Sequence, residues 1–128
     1  MTRVNAQPAR LLVIAPLRIE RAAVRRALRE SLVLRFGMGA ARARSVALVA
    51  ARIPAATVAV AGSCGALAEG LRAGDVVVAS EVRGPAGVTG CEPGPLVAAL
   101  AALGIERLHV GPLASVDHLV RGAVDVLV

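Results

Sequence analysis

The 128-residue sequence predicts an α/β fold, three-layered, with a mainly parallel central sheet and covering helices, and three observations carry that prediction. Apolar strand-like runs alternate with segments of helical periodicity in β-α-β-α-β order, the pattern of parallel strands joined by crossover helices. The stretch Thr57–Glu81, TVAVAGSCGALAEGLRAGDVVVASE, holds two valine-rich runs, 57–61 and 75–80. Neither shows polar alternation, as expected of strands buried on both faces. The hydrophobic fraction of 56% comes from Ala, Val and Leu, with Phe36 the single aromatic residue, and small aliphatics suit helix–sheet layers.

The elements follow in order. Residues 1–10 are polar, contain Pro8, and are expected to form a flexible amino terminus; residues 11–128 are expected to form one α/β domain. Leu11–Ala15 (LLVIA) is the first strand. Arg18–Ser31 is the first helix, with Ile19, Ala22, Ala23, Val24 and Leu28 on its buried side. Leu32–Phe36 is a second strand running into Gly37-Met38-Gly39, and Ala40–Ile53 a second helix ended by Pro54. The two valine-rich strands come next. Four glycines and three prolines make Arg83–Pro95 a loop. Leu96–Leu103 is helical, with Gly104 as its C-cap signal, and Leu108–Val116 is a last strand turned by Gly111-Pro112.

Composition excludes several functions. Mean hydropathy is +0.69, yet the longest charge-free run, between Arg52 and Glu69, is interrupted by Pro54, Gly62 and Gly65 and is too short to span a bilayer. Two cysteines, Cys64 and Cys91, imply neither a disulfide framework nor a zinc site, so a reducing, cytoplasmic setting is expected with no metal and no cofactor. All fifteen basic residues are arginine. Arg18, Arg21, Arg25, Arg26 and Arg29 cluster on the first helix, where a solvated face is the ordinary reading. No stacking aromatics accompany them, so nucleic acid is not an expected partner.

Gly62-Ser63-Cys64-Gly65 directly follows a predicted strand, at the carboxyl end where open α/β sheets place ligands. Glycines there permit positive φ and close backbone approach, so the N–H groups of Ser63, Cys64 and Gly65 can face a ligand. With Ala66-Leu67 and then Leu71-Arg72-Ala73-Gly74-Asp75-Val76-Val77-Val78, the turn resembles the nucleoside phosphorylase and methylthioadenosine/S-adenosylhomocysteine nucleosidase superfamily. A weaker match, from Gly111-Pro112 to Gly122, resembles its hopanoid-associated branch. The resemblance covers the amino-terminal half of a family domain. An apolar end, VRGAVDVLV, is likewise a poor terminus for a finished α/β domain.

What the resemblance implies is carried residue by residue. Leu17-Arg18-Ile19-Glu20 aligns with the family's Met-Glu-x-Glu-like segment, whose last acid positions the attacking water; Glu20 is otherwise a first-turn acid favoured by the helix dipole. Pro16-Leu17-Arg18 is similar to the Pro-Leu-Arg of bacterial purine nucleoside phosphorylases, where the arginine grips phosphate through a bidentate fork. Their second arginine corresponds to Val60 here, which favours hydrolysis over phosphorolysis, and Arg18 as a surface residue stays open. Gly37-Met38-Gly39 lacks the third glycine and the distant acid of a dinucleotide fingerprint. It is a tight turn or, by the resemblance, a loop bordering the nucleoside. No nucleophile elbow surrounds Ser63, and His109 and His118 have no triad partners evident in sequence. Cys64 is a small, normally buried residue. Asp117, in Ser115-Val116-Asp117, is similar to the family's Ser-Gly-Asp, or is a plain turn acid.

The expected sites are therefore Glu20 and Ser63 as catalytic residues, and Arg18, Gly37, Met38, Gly39, Ser63, Cys64, Gly65 and Asp117 as substrate-binding ones. The expected activity is cleavage of the N-glycosidic bond of a purine nucleoside or related thioether, with phosphate as co-substrate in the phosphorolytic alternative. The expected assembly is a homo-oligomer once the domain is whole. The family's base-protonating aspartate and ribose-anchoring Met-Glu pair fall beyond the half covered. Ala123-Val124-Asp125-Val126 approaches the latter without its glutamate. The other expectation is thus an inactive α/β fragment or interaction module, and this chain should show little or no turnover.

Overall fold

A computed structural model describes residues 9–29, 31–117 and 120. It is mixed α/β and falls into two compact units, Met1–Cys64 and Gly65–Val128. In the first, strand β1 (Ala9–Ala15), helix α1 (Arg18–Ala27), strand β2 (Leu32–Arg35), helix α2 (Ala40–Ala50) and strand β3 (Ala55–Val60) alternate as the sequence predicts. The strands form a parallel sheet in the order β2-β1-β3, with Val13 beside Val33 on one side and Ala59 on the other.

β1 is central because it is apolar on both faces. Leu12 and Ile14 are buried on one side, Val13 and Ala15 on the other, where they pack with Val33 and, more loosely, Leu11, Val24 and Ala61. Burying a side chain of this size contributes about 1.5–3 kcal/mol, so four consecutive buried residues anchor the unit. β3, expected to be buried on both faces, is the sheet's edge instead, and Val58 and Val60 are 56% and 71% exposed.

α1 is shorter than expected and turned differently. Ile19 is 76% exposed, and Ala22, Ala23 and Leu28 are exposed as well; of the predicted inner residues only Val24 meets the core. The cause is Glu20, whose carboxylate is bonded to two backbone amides and so fixes the rotation of the helix. Val24, one turn on at i+4, is brought inward with it.

The second unit contains strand β4 (Val76–Gly84), strand β5 (Gly87–Gly90), helix α3 (Gly94–Ala102) and strand β6 (Leu108–Ala114), in the order β5-β4-β6. β4 and β6 are parallel; β4 and β5 form an antiparallel hairpin. The described strands thus make two three-stranded sheets where one central sheet was expected. The hairpin also replaces part of the predicted loop 83–95. Its turn is Pro85-Ala86 closed by Gly87 at φ 119°, and Val82 opposite Thr89 and Arg83 opposite Val88 supply β-forming pairs. Gly104, at φ 79°, ends α3 as predicted. Pro112 is tolerated because β6 is an edge strand and the β4–β6 register shifts beside it. Val78 is the one buried apolar residue described in this unit. Among the described residues no helix is long and apolar enough to cross a membrane.

Candidate functional site

The first unit brings together the carboxyl ends of its three strands. In the order β2-β1-β3 the chain leaves β1 for one side of the sheet and reaches β3 on the other. The crevice outside the ends of β1 and β3 is therefore a topological switch point, where doubly wound sheets hold ligands. Pro16 and Leu17 follow β1, Gly37-Met38-Gly39 follows β2, and Ala61 to Cys64 follows β3. The Gly37 N–H donates to the Pro16 carbonyl at 2.7 Å, and the Ala61 N–H donates to that of Ile14 at 3.0 Å.

Glu20 occupies this corner. One carboxylate oxygen, Oε2, accepts the Leu17 N–H at 2.9 Å, half of a capping box at the start of α1. The other, Oε1, accepts the Ser63 N–H at 2.8 Å, across 43 residues of sequence. Partial desolvation pushes the Glu20 carboxyl up, but the hydrogen bonds from Ser63 and Leu17 outweigh it and hold the group below its ordinary value. Glu20 is thus ionised over the whole neutral range.

The glycines act in a narrower way than expected. Gly62 and Gly65 do not use positive φ. What Gly62 supplies is close approach: a Cβ there would lie 3.1 Å from Pro16 Cδ and 3.2 Å from both Glu20 oxygens. Nor is the Ser63 amide free to face a ligand, since Glu20 holds it. Gly37 and Gly39 do require glycine, at φ 78° and 99°, and a Cβ on Gly37 would meet Arg42 Nη1 at 2.8 Å. Met38 and Cys64 are exposed, Cys64 contrary to the buried position expected of it.

Not every expected residue gathers at this corner. Arg18 is the first residue of α1, about 200° around the helix from Glu20. It lines a separate hollow with Arg21, Ala22, Arg25 and Arg35. Gly65 and Asp117 belong to the second unit, both exposed, and His118 lies outside the described residues.

The second unit contains a polar cluster that sequence reading passed over. The Asp75 carboxylate, with its side chain 4% exposed, accepts Arg107 Nη2 at 2.7 Å, Arg107 Nε, and the Arg72 N–H at 3.0 Å. His109 Nε2 lies 3.0 Å from Asp75 Oδ2, and Arg107 Nη2 also donates to the Gly70 carbonyl at 2.9 Å. Arg107 above all, with Arg72 and His109, holds the Asp75 carboxyl far below the usual carboxylate range against the opposing pull of burial. The parallel register explains the meeting, because Val76 pairs with Leu108 and so sets Asp75 beside Arg107. An acid and an arginine each directly preceding a valine- or leucine-led strand were the available signal. Bidentate and multiply bonded, this cluster serves as a pin between β4 and β6.

Among the described residues no three His, Cys, Asp or Glu side chains gather as a metal site. The chain matches no family model and no curated protein.

Proposed function

We propose that the Glu20–Ser63 corner binds a purine nucleoside or related thioether nucleoside, and that the protein acts in hydrolysis of its N-glycosidic bond, as the resemblance to the nucleosidases implies. The observation that carries this reading is an ionised Glu20 carboxylate bonded to the Ser63 amide at the switch point of the sheet. Each carboxylate oxygen has about two acceptor positions; a backbone amide takes one on each and the Ser63 side chain a further one. The remaining position can accept a water molecule or a ribose hydroxyl. A water so oriented adds its oxygen to C1′ as the C1′–N bond breaks, the bonding electrons leave with the base, the added water gives up a proton to Glu20, and the departing nitrogen takes a proton from solvent. The fixed negative charge of Glu20 favours the cationic sugar of the transition state. Hydrolysis is preferred to phosphorolysis because Arg18 is turned away from Glu20 and Val60 stands at the position of a second phosphate arginine.

A second reading, binding without turnover, draws on one observation. Glu20 is the only carboxylate among the described residues of the first unit, so no partner acid is described there to protonate the base. A cytoplasmic setting, with Cys64 and Cys91 as thiols, and a homo-oligomer of the whole domain complete the proposal. The test titrates the protein with methylthioadenosine, adenosylhomocysteine and inosine, with and without phosphate, following heat of binding and free base. Phosphate-independent binding that Glu20→Gln abolishes is the expected result. Free base without phosphate establishes hydrolysis, and binding without free base establishes the second reading. Absence of binding, or release only with phosphate, overturns the proposal.

A further inference from the structure

Arg18, Arg21, Ala22 and Arg25 form one stripe of α1, all within about 60° of Arg18 around the helix axis. The stripe faces Arg35 at the end of β2 across an open hollow of about 320 Å³. Like charges three and four residues apart repel along a helix, and arginines in the first turn also oppose the helix dipole. Nothing described in the protein offsets this. None of the four arginines is bonded to an acid among the described residues. Glu20, the nearest described carboxylate in sequence, is committed to Leu17 and Ser63 on another side of the helix. Arg21 Nε is buried without any hydrogen-bond partner, which is rare for a buried donor and marks a missing acceptor. The charge is also local: residues 1–64 carry eleven arginines against Glu20 and Glu30.

We propose that this hollow, lined by Arg18, Arg21, Arg25 and Arg35, binds a small ligand carrying a diphosphate group, separately from the Glu20–Ser63 corner. Each guanidinium presents a planar fork that matches two phosphate oxygens. Four such forks, from two elements, exceed what one phosphate can meet and suit two linked ones. Arg21 Nε gains its acceptor, and the repulsion along α1 is relieved. No aromatic residue lines the hollow, so a ligand is held by its phosphates and not by base stacking.

The probe is sodium diphosphate, titrated calorimetrically into the full chain at constant ionic strength, beside inorganic phosphate and a single-stranded oligonucleotide. Saturable binding of one diphosphate per chain, tighter than phosphate or oligonucleotide, is expected. Arg21→Gln and Arg35→Gln weaken it by about tenfold or more, as loss of a charge-assisted fork implies. Arg44→Gln, on α2 and outside the hollow, leaves it within about twofold, the change expected of an exposed charge screened by salt. Circular dichroism verifies each fold, and Arg25→Gln, at an exposed position, replaces Arg21→Gln should that variant not fold. Lack of saturable diphosphate binding, equal weakening by Arg44→Gln, or tighter binding of the oligonucleotide overturns the site. Nucleoside binding at Glu20 is read separately, so either proposal can fail alone.

Discussion

The two units reach order by opposite means. The first is built on an apolar spine, Leu12 to Ala15 with Val33, buried on both faces of a parallel strand. The second has Val78 as its one buried apolar residue described, and joins its parallel strands through Asp75, Arg107 and His109. Dispersion and the hydrophobic effect are non-directional, and the spine of the first unit carries no titratable group, so its contribution does not depend on pH while its volume is filled. A carboxylate pinned by a guanidinium is directional and titratable, and a unit that relies on it inherits both properties.

The largest expected effect breaks the first half of that contrast. Leu12→Ala removes the one large side chain that is wholly buried among the described residues and should cost about 2–5 kcal/mol, seen in urea denaturation as loss of the first unit. Next, Asp75→Asn should lower the melting temperature of the second unit, and Arg107→Gln should reproduce most of that loss, because either change severs the same pin. Acid sharpens the comparison. Asp75 is depressed in the folded protein, so its contribution is fully present above the ordinary carboxylate value of about 4 and is lost as pH falls below it. Glu20 shifts in the same direction, and a pH series of thermal melts should show the second unit failing first, with Asp75→Asn flattening its acid limb. The smallest effects concern the corner of the first unit. Glu20→Gln should cost about 1 kcal/mol through weaker bonds to Leu17 and Ser63. Gly62→Ala, forcing a methyl group against the same carboxylate, should resemble it and shift the Ser63 amide proton resonance.

How much was visible in advance follows the same division. LLVIA as a buried strand, the helix–strand alternation, and the conformations of Gly37, Gly39 and Gly104 are local consequences of periodicity and of glycine, and the residues declare them. Glu20 and Ser63 are 43 residues apart, and their meeting was approached through resemblance, since no pattern within either segment shows it. The rotation of α1 was misjudged because its Ile19 and alanines promised a conventional apolar face, whereas two hydrogen bonds to one acid set the angle. The burial of β3 was misjudged because composition announces apolarity and not position within a sheet. The partners of His109 depend on the register of β4 against β6, a long-range property that no window of sequence contains.

The exposed edge strand β3 carries a practical consequence. Its six residues, AATVAV, contain no charge and no proline, the composition from which intermolecular β-pairing starts. Arg52 and Pro54 stand immediately before it as gatekeepers, but nothing equivalent follows until Glu69. Concentrated solutions of the protein should therefore coagulate through this strand before they do so through any other, and a lysine in place of Val58 is the simplest remedy.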